Sequence, residues 1–352
     1  MIRYEHGLVM GKFYPLHAGH SALIRAASRQ CRRVSVQVHG ASVETIPVAV
    51  RADWVSEEHP EVGVRTVLDD APVDFDSPAA WAYHVATIRS LLDTPVDAVF
   101  TSDAYGAELA ARLGAHWVQV DGGRRAGPVS GTAVRADVAG HWWALGPAAR
   151  SWLTRRVVVL GAESTGSTTL ARDLARALGT LWVPEFGREW SLRRPGGLSA
   201  AWHACEFDLV AAEQARTEDE AARRVPRPVL VCDTDVLATT VWHERYVGYP
   251  SATVAALAAA RVPALYLLTG AEIPFVDDGL RDGEHLRHTM HARFREVLDA
   301  QPAPWVEVSG SRAHRLATAV DAVQALLDQG WGLAAPLTEP TVLEHTLLEV
   351  FP

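Results

Sequence analysis

Apolar runs that break into glycine-rich turns divide this sequence into two parts. The first run, residues 7–11 (GLVMG), precedes a turn rich in glycine, proline and histidine and then a helical pattern over residues 21–29. The second run, residues 156–160 (RVVVL), leads through another glycine-rich turn into a helical pattern over residues 168–178. A buried strand followed by a ligand-binding turn and a helix is the start of an α/β unit. We therefore predict two α/β domains, each built on a parallel sheet.

The remaining apolar runs add strands and helices to both parts. Further strands are predicted at residues 34–39, 98–101, 229–232 and 264–268, and further helices at residues 79–92, 105–113 and 200–224. Residues 140–154, with two adjacent tryptophans and a Gly-Pro pair, predict a short helix and the interdomain connection. We place the boundary near Ser151, which gives domains of residues 1–150 and 151–335 and a tail of residues 336–352.

Composition and charge restrict the function further. The 352 residues are 48% hydrophobic with a mean hydropathy near zero, which is ordinary for a globular protein. The formal net charge of −9, without a basic run, argues against nucleic-acid binding. Three widely spaced cysteines form no CxxC pair, the N-terminus lacks a signal-peptide pattern, and no apolar stretch is long enough to span a bilayer. We therefore predict a soluble, cytoplasmic protein that binds neither nucleic acid nor a membrane; the sequence leaves a homo-oligomer open.

The strongest chemical signal is the segment 11–20 (GKFYPLHAGH), which directly follows the first strand, where α/β folds bind their ligands. His17 and His20, three residues apart at the start of a helix, present their rings to one face and can donate together to a polyphosphate. Gly19 permits close approach of the phosphates, and Lys12 adds a mobile positive charge. Such donors suit attack on the α-phosphorus of ATP, because that step needs alignment and neutralisation of the charge that develops on the bridging oxygen.

This segment resembles the HxGH motif of a nucleotidyltransferase superfamily. A second segment, residues 129–135 (VSGTAVR), resembles that superfamily's ISxTxxR motif, with Val129 in place of the usual isoleucine. The resemblance implies a Rossmann-like domain in which Ser130 and Thr132 cap a helix that holds the ATP phosphates, while Arg135 reaches the β- and γ-phosphates. The catalytic residues expected here are His17, His20, Lys12 and Arg135, and the ATP site also includes Gly11, Phe13 and Gly19.

Two neighbouring segments narrow the resemblance. Residues 46–54 (IPVAVRADW) and 100–106 (FTSDAYG) are similar to those of bifunctional NadR-type enzymes, which combine nicotinamide-nucleotide adenylyltransferase with ribosylnicotinamide kinase. The resemblance extends from about residue 7 to about residue 310. It implies that the first domain adenylylates nicotinamide mononucleotide, with Arg51 and Trp54 binding this substrate.

Residues 161–169 (GAESTGSTT) follow the second strand with Walker A spacing. Their backbone N–H groups are expected to surround phosphate, and Thr168 occupies the position of the Mg²⁺-binding hydroxyl. Ser167 departs from the motif, because lysine normally stands there and bridges the β- and γ-phosphates, whereas serine supplies no positive charge. The ATP-binding residues expected in this P-loop are Gly161, Ser164, Thr165, Gly166, Ser167 and Thr168.

Carboxylates elsewhere in the second half complete a kinase-like pattern. Asp233 and Asp235 end a buried strand, where one would accept the proton of the substrate hydroxyl and the other would organise Mg²⁺. The sequence does not decide which, and Glu163 is a further candidate base. We take Thr168 and Asp233 as the candidate Mg²⁺ ligands.

Two arginines are candidates for the charge that the missing lysine would supply. The glycine-rich loop 277–283 can close over ATP, with Arg281 and Arg287 stabilising charge during transfer. The DTD segment and the DDGxR lid both match the NadR-type pattern, which implies that the second domain is a kinase with a P-loop fold.

A further segment, residues 184–190 (PEFGREW), is similar to the family's substrate segment. Glu185 or Arg188 would bind the ribose of nicotinamide riboside. Trp190 or Trp242 would stack on its pyridinium ring, a cation–π contact suited to a charged base.

The resemblance implies a bifunctional salvage enzyme that uses Mg²⁺-ATP twice, to phosphorylate nicotinamide riboside and then to adenylylate the product to NAD. Ser167 leaves open a single adenylyltransferase whose second domain only binds nucleotide and regulates. A repressor with a helix-turn-helix is disfavoured, because the first strand begins at Gly7 and the chain is acidic. Pantetheine phosphate or an alcohol phosphate as the acceptor fits the HxGH pattern but not the flanking segments.

Overall fold

A computed structural model describes residues 2–121, 129–276 and 283–336 of the chain. These residues form two compact units. The first extends from the N-terminus to Ala149 and includes the described residues from Trp331 onward, and the second is Arg150–Gly330. In the described part of the chain, no helix combines the length and the apolar character needed to cross a membrane.

The first unit is a parallel five-stranded sheet with helices between the strands. Its strands are β1 (Tyr4–Gly11), β2 (Cys31–Gly40), β3 (Gly63–Leu68), β4 (Ala98–Thr101) and β5 (His116–Gln119). Its helices are α1 (Ala18–Ser28), α2 (Val48–Glu58), α3 (Pro78–Ser90), α4 (Tyr105–Leu113) and α5 (Gly131–Ala136), followed by a 3₁₀ turn at Trp142–Ala144 and by α6 (Pro147–Leu153), which contains the division between the units. The strand order is β3-β2-β1-β4-β5, so the order reverses at β1. Ligands bind at the carboxyl ends of the strands at such a point.

The second unit repeats this design around a different central strand. Its strands are β6 (Arg155–Leu160), β7 (Trp182–Val183), β8 (Val229–Asp233), β9 (Leu265–Thr269) and β10 (Trp305–Val308). Its helices are α7 (Ser167–Leu178), α8 (Phe186–Arg193), α9 (Ala204–Ala222), α10 (Val236–Val247), α11 (Ala252–Ala259), α12 (Arg287–Asp299) and α13 (Arg312–Asp328), with a 3₁₀ turn at Glu284–Leu286 before α12. The strand order is β10-β9-β6-β8-β7, and every pairing is parallel. The loop after β6 therefore leaves from the middle of the sheet.

Helices on the sheets bury apolar side chains. The core of the first unit includes Leu8, Ile88, Val99 and Leu109, and that of the second includes Val159, Leu174, Leu267 and Val323. All residues of β8 and β9 are buried, as expected for parallel strands that are covered on both faces.

The predicted fold class, two α/β units with parallel sheets, is confirmed. The apolar pattern did not predict β3, β5, β7 and β10, and each of these is an edge strand. No residue of β3 or β5 is buried, so a search for buried apolar runs cannot detect them.

Residues 331–336 differ from the predicted domain limits, which assigned residues up to 335 to the second domain. The Thr45 hydroxyl donates to the carbonyl of Gly332 (3.2 Å) and accepts the N–H of Ala334 (2.9 Å). These two hydrogen bonds attach the segment to the loop that precedes α2. The other residues of the predicted tail, 337–352, lie outside the described residues.

An ion pair joins the end of α8 to the first turn of α9. The Nη2 of Arg194 lies 2.7 Å from Oε2 of Glu206, and the same guanidinium donates to the carbonyls of Ala200 and Ala201. The hydrogen bond from Arg194 holds the pKa of Glu206 at about 2, well below its ordinary value of 4.5, with a further contribution from the His203 N–H. The hydrogen bond from Arg194 thus stabilises the ionised form of the Glu206 carboxylate in the folded unit.

We predict that Glu206→Gln destabilises the second unit by about 2 kcal/mol at neutral pH, because a hydrogen bond to a charged group is lost. In the wild type this contribution is complete above pH 4.5 and is lost as the pH falls through about 2, where the folded carboxylate protonates. Urea unfolding between these pH values should therefore show a shallower pH dependence for the variant. Glu220→Gln, which removes an exposed partner of Arg216, is the matched control and should leave the slope unchanged. Equal slopes for Glu206→Gln and wild type would contradict the prediction.

Candidate nucleotide-binding sites

The two histidines of the first motif lie at the start of α1, directly after β1. His17 is the N-cap residue, and its Nδ1 accepts the N–H of Gly19 at 3.1 Å. This bond leaves Nε2 as the donor atom of the neutral ring. The His20 ring stacks on His17 with 3.8 Å between centroids, and the buried ring of Phe13 lies 4.9 Å from His20. A Cβ at position 19 would lie 3.0 Å from the His17 ring, which is tighter than most Cβ contacts, so glycine favours this close approach.

The second motif meets the first at Tyr14. Ser130 is the N-cap of α5, and its hydroxyl accepts the N–H of Ala133 at 3.1 Å. Arg135 donates from Nη1 to the Tyr14 carbonyl (2.6 Å) and from Nη2 to the Thr132 hydroxyl (3.1 Å). Burial lowers the pKa of Arg135 from its ordinary value, yet the guanidinium stays charged at any pH near neutrality. The two segments predicted to bind ATP are therefore in contact.

A buried carboxylate, Glu44, holds two cations of this unit. Its Oε1 lies 2.8 Å from Nζ of Lys12, and its Oε2 lies 2.8 Å from Nη2 of Arg51. Arg51 also donates to the carbonyl of Lys12 at 2.7 Å, and its guanidinium lies over the Tyr14 ring at 5.2 Å. Glu44 was not among the predicted residues. It positions Lys12, which is part-exposed, beside the histidine turn.

The predicted substrate contacts of Arg51 and Trp54 require correction. Arg51 is 0% exposed and Trp54 is 5% exposed, so both side chains lie in the interior of the first unit. A fully buried guanidinium that is bonded to Glu44 and to a backbone carbonyl cannot reach a substrate from this position. Arg51 supports the turn that carries Lys12 instead.

A pocket to which the first motif contributes only Gly11 and Lys12 lies at the carboxyl ends of β1 and β2. Gly11 and Lys12 line it, together with His39, Asp69, Phe75, Trp81, His84 and Tyr105. The Phe75 and Tyr105 rings stack with 5.6 Å between centroids, and Trp81 lies 5.8 Å from Phe75. Trp81 and His84 lie three residues apart on α3. Because residues at this spacing share one face of a helix, the sequence could have predicted that the two side chains lie together.

Polar groups line the side of this pocket nearest β2. His84 bonds through Nδ1 to Asp69 (3.0 Å) and through Nε2 to the carbonyl of Pro72 (3.1 Å). Burial lowers the pKa of His39 to about 4, against the opposing charge of Asp69, so its ring is neutral at neutral pH. The pocket thus combines aromatic rings, a carboxylate and the Lys12 ammonium.

In the second unit, the predicted P-loop connects β6 to α7. Gly166 precedes α7 with a φ of 86°, and Ser164 has a φ of 58°, so the loop turns through left-handed conformations. The Thr165 hydroxyl donates to the Ala162 carbonyl at 2.6 Å and lies 2.7 Å from the Thr269 hydroxyl. A Cβ at Gly161 would lie 2.2 Å from that hydroxyl, so the loop packs tightly on β9.

The structure separates the roles of the two aspartates that the sequence left equivalent. Asp233 is 1% exposed at the end of β8, and burial raises its pKa to about 6, opposed by the hydroxyls of Thr168 and Ser167. Asp235 is the N-cap of α10: its Oδ1 accepts the Ala238 N–H at 3.0 Å, and its Oδ2 accepts the Tyr266 hydroxyl at 2.8 Å. Asp235 is therefore corrected to a structural residue, whereas Asp233 faces the P-loop.

Two arginines hold the backbone of the P-loop. Arg287 is 7% exposed and donates to the Ser164 carbonyl at 3.2 Å. Arg315, which was not predicted, donates to the carbonyls of Thr165 and Gly270. Arg287 therefore supports the loop backbone and is not among the described residues that line the cleft in front of it. Arg281 and the predicted lid, residues 277–282, lie outside the described residues.

Glu163 was a candidate base, but protein donors hold both of its oxygens. Arg245 lies 2.7 Å from Oε1, and the N–H of Gly283 donates to Oε2 at 2.8 Å. Arg245 also lies over the Tyr246 ring at 4.7 Å. These bonds connect the P-loop to α10 and favour a structural role for Glu163.

A cleft opens in front of the P-loop. Of the predicted substrate residues, Glu185, Arg188 and Trp242 line it with Ser167 and Thr168. Aromatic residues that the sequence did not single out also line it, and they pack on one another: Trp202, Phe207 and Tyr246. Trp190 is not among the described residues that line this cleft, and its indole N–H donates to Oε1 of Glu206 at 3.1 Å.

We predict that Asp235→Ala lowers the free energy of unfolding of the second unit by about 2–4 kcal/mol. The substitution removes the cap of α10 and leaves the buried Tyr266 hydroxyl without its acceptor. Asp233→Ala, the same change two residues earlier, should cost less than about 1 kcal/mol, because it removes a buried carboxyl whose ionisation is unfavourable. Urea unfolding of both variants measures the difference, and equal losses would contradict the assignment.

Known proteins resemble this chain in sequence and in fold. A family model described as an AAA domain matches residues 156–315, within the second unit. The trifunctional NAD biosynthesis/regulator protein NadR of Escherichia coli (strain K12) is 27% identical over 297 residues, which cover 78% of this chain and 71% of the relative. The protein of the same name from Salmonella typhimurium is 25% identical over 295 residues, with the same coverage.

Solved structures extend the likeness in fold. A crystal structure of a NadR protein in complex with NR has a TM-score of 0.72 at 21% identity and covers 95% of this chain and 99% of its own. A NadR complex with NAD and AMP-PNP has a TM-score of 0.70 at 20% identity, with the same coverage. The chain is thus similar to the NadR proteins in sequence and in the fold of both units, which confirms the resemblance that its motifs indicated.

Proposed function

We propose that this chain is a bifunctional enzyme of NAD biosynthesis. The first unit joins the AMP part of ATP to nicotinamide mononucleotide, which gives NAD and pyrophosphate, and the second phosphorylates nicotinamide riboside to that mononucleotide. The relatives named for NAD biosynthesis and the NadR complexes with NR, NAD and AMP-PNP support this assignment. The observation that carries it is that one chain holds two nucleotide sites, the pair His17 and His20 after β1 and the P-loop after β6.

In the first reaction a phosphate oxygen of the mononucleotide attacks the α-phosphorus of ATP. The bond from that phosphorus to the α,β-bridging oxygen breaks, and pyrophosphate leaves. The protein supplies alignment and charge neutralisation rather than a covalent intermediate. His17 donates from Nε2, because Gly19 occupies its Nδ1, and His20 stacked on it is directed at the same phosphates. Arg135 would use its remaining N–H groups on the β- and γ-phosphates.

The pocket at the ends of β1 and β2 is proposed to receive the mononucleotide. The stacked rings of Phe75 and Tyr105 offer a surface for the pyridinium ring, and Asp69 supplies a negative charge near that cation. Lys12 lines the same pocket and lies in the turn that leads to His17, so its ammonium would hold the phosphate of the acceptor.

We predict that Phe75→Ala raises the KM for nicotinamide mononucleotide by about fivefold, the loss of one ring-stacking contact. The KM for ATP and the kcat should change less than about twofold, because Phe75 makes no contact with the reacting atoms. Tyr83→Ala is the control, because it removes an exposed aromatic ring of α3 that does not line the pocket. An unchanged KM for the acceptor would place its ring elsewhere.

The P-loop implies Mg²⁺, and the residues behind it fit that ion. In the described part of the chain, Oδ1 of Asp233 is buried without a hydrogen-bond partner, and the Thr168 hydroxyl faces the same carboxylate. One or two protein oxygens suit Mg²⁺, which retains water and phosphate oxygens in its other positions. When bound to Thr168 and Asp233, the ion would neutralise charge on the ATP phosphates.

In the second reaction the 5′-hydroxyl oxygen of the riboside attacks the γ-phosphorus. The bond from that phosphorus to the β,γ-bridging oxygen breaks, and ADP leaves. We assign acceptance of the hydroxyl proton to Glu185, because it lines the cleft, whereas Asp233 is buried behind the P-loop. The aromatic group of Trp202, Tyr246 and Trp242 would surround the nicotinamide ring.

Ser167 favours a second candidate function, an adenylyltransferase whose second unit binds nucleotide without phosphorylating the riboside. The deciding experiment measures both reactions with the purified chain and Mg²⁺-ATP. We expect both activities in the wild type. His17→Ala should lower adenylylation at least about 100-fold and leave phosphorylation unchanged, and Asp233→Asn should do the reverse.

The matched pair of variants makes each activity the control for the other. Adenylylation without riboside phosphorylation in the wild type would select the second candidate function. Absence of both activities in a folded preparation would overturn the proposal.

A further inference from the structure

The P-loop lacks positive charge at the position where the Walker A motif carries it. Ser167 is the first residue of α7 and lines the cleft with Thr168. Phosphoryl transfer develops charge on the oxygens between the β- and γ-phosphates, and a cation from the protein normally stabilises it. A hydroxyl donates one hydrogen bond but carries no charge, so a kinase built on this loop needs a cation from another element.

Three arginines near the loop are committed to holding the protein together. Arg287 and Arg315 bond to carbonyls of the loop backbone, and Arg245 pairs with Glu163 at 2.7 Å. All three guanidinium groups are largely buried. None of them lines the cleft in which Ser167 and Thr168 lie.

Arg188 differs from these three by its position. It is the one lysine or arginine among the described residues that line the cleft, and it lies there with Ser167, Thr168 and Glu163. Asp233, the carboxylate that faces the two P-loop hydroxyls, lies within reach of its charge. Arg188 therefore shares the cleft with Ser167, the position at which the Walker A motif carries its lysine.

The helix that carries Arg188 is anchored to the rest of the unit. The N–H of Phe186, the first residue of α8, donates to Oε1 of Gln214 at 3.0 Å, and Nε2 of Gln214 donates to Glu218 at 3.0 Å. Gln214 and Glu218 are buried on α9. At the other end of α8, Arg194 pairs with Glu206. A cation on a helix that is fixed at both ends is preorganised, as transition-state stabilisation requires.

We infer that Arg188 replaces the missing P-loop lysine and binds the β- and γ-phosphates of ATP in the second unit. This inference rests on the proposed kinase reaction. As the riboside oxygen bonds to the γ-phosphorus and the bond to the β,γ-bridging oxygen breaks, Arg188 neutralises the charge that ADP acquires. The proton of the attacking hydroxyl passes to Glu185. This role differs from the ribose contact that the sequence predicted for Arg188.

The test combines Arg188→Gln with Ser167→Lys, which restores charge from the loop itself. We expect Arg188→Gln to lower the kcat of riboside phosphorylation at least about 100-fold. Ser167→Lys in the same chain should recover at least about tenfold, while adenylylation stays at the wild-type rate throughout. Arg172→Gln is the matched control, because its charge also acts on Asp233 but its side chain stacks on Trp182 and does not line the cleft.

A binding measurement keeps the inference testable without turnover. AMP-PNP titrated into the full chain should occupy both units, and Arg188→Gln should weaken only one of the two sites, by about tenfold, with recovery by Ser167→Lys. If the wild type binds AMP-PNP at both sites but does not phosphorylate the riboside, the proposed kinase reaction fails while the binding result still decides the role of Arg188. Unchanged AMP-PNP affinity at both sites would overturn the inference. So would a rise confined to the KM for riboside that Ser167→Lys does not reverse.

Discussion

Parallel strand pairing determines where the chemistry of this chain can occur. β1 pairs in parallel with β2 and β4, and β6 pairs in parallel with β8 and β9. The central strand of each sheet therefore ends between two neighbours whose carboxyl ends lie at the same edge. The loop that follows it enters the crevice at that edge, close to the side chains that end the adjacent strands. The histidine turn and the P-loop both occupy this position, each in its own unit.

Burial of charge is the second constraint, and it distinguishes structural ions from groups kept for chemistry. Arg51 and Asp235 are both buried and held by protein partners. Glu44 and a carbonyl accept from the two terminal nitrogens of Arg51, and Ala238 and Tyr266 donate to the two oxygens of Asp235. Asp233 is equally buried but retains one oxygen without a hydrogen-bond partner in the described structure. Burying a carboxylate oxygen without a hydrogen-bond partner costs free energy of folding unless a ligand binds to that oxygen. This contrast favours Asp233 over Asp235 as the carboxylate that we propose to bind Mg²⁺.

Much of the fold followed from local pattern, because buried central strands appear as continuous apolar runs. β4 and β8 have every residue buried, and the apolar runs at residues 98–101 and 229–232 predicted both. The pattern did not predict the edge strands β3, β5, β7 and β10. An edge strand pairs with one strand only and is partly exposed, so it lacks the continuous apolar run that marks a central strand. The sequence also assigned residues 331–336 to the wrong unit. Their attachment to Thr45 depends on two hydrogen bonds between residues that are 287 and 289 positions apart in the chain, and local pattern does not reveal such contacts.

By itself, the sequence determined the identity and local spacing of the groups that we propose bind phosphate. His17 caps α1 through Gly19 two residues later, and Gly166 turns into α7 one residue later, so short-range geometry was enough. Only the tertiary structure decided which ionisable residues remain exposed to a ligand. Asp235 is bonded to the hydroxyl of Tyr266, 31 residues away, and Arg51 is paired with the buried carboxylate of Glu44. Neither side chain is therefore open to a ligand in this structure. The aromatic pocket of the first unit likewise required β1, β2 and α3 to meet. Residues far apart in the chain occupy the hydrogen-bond donors and acceptors of these side chains and shield them from solvent. Neither effect can be predicted from the spacing of residues along the chain.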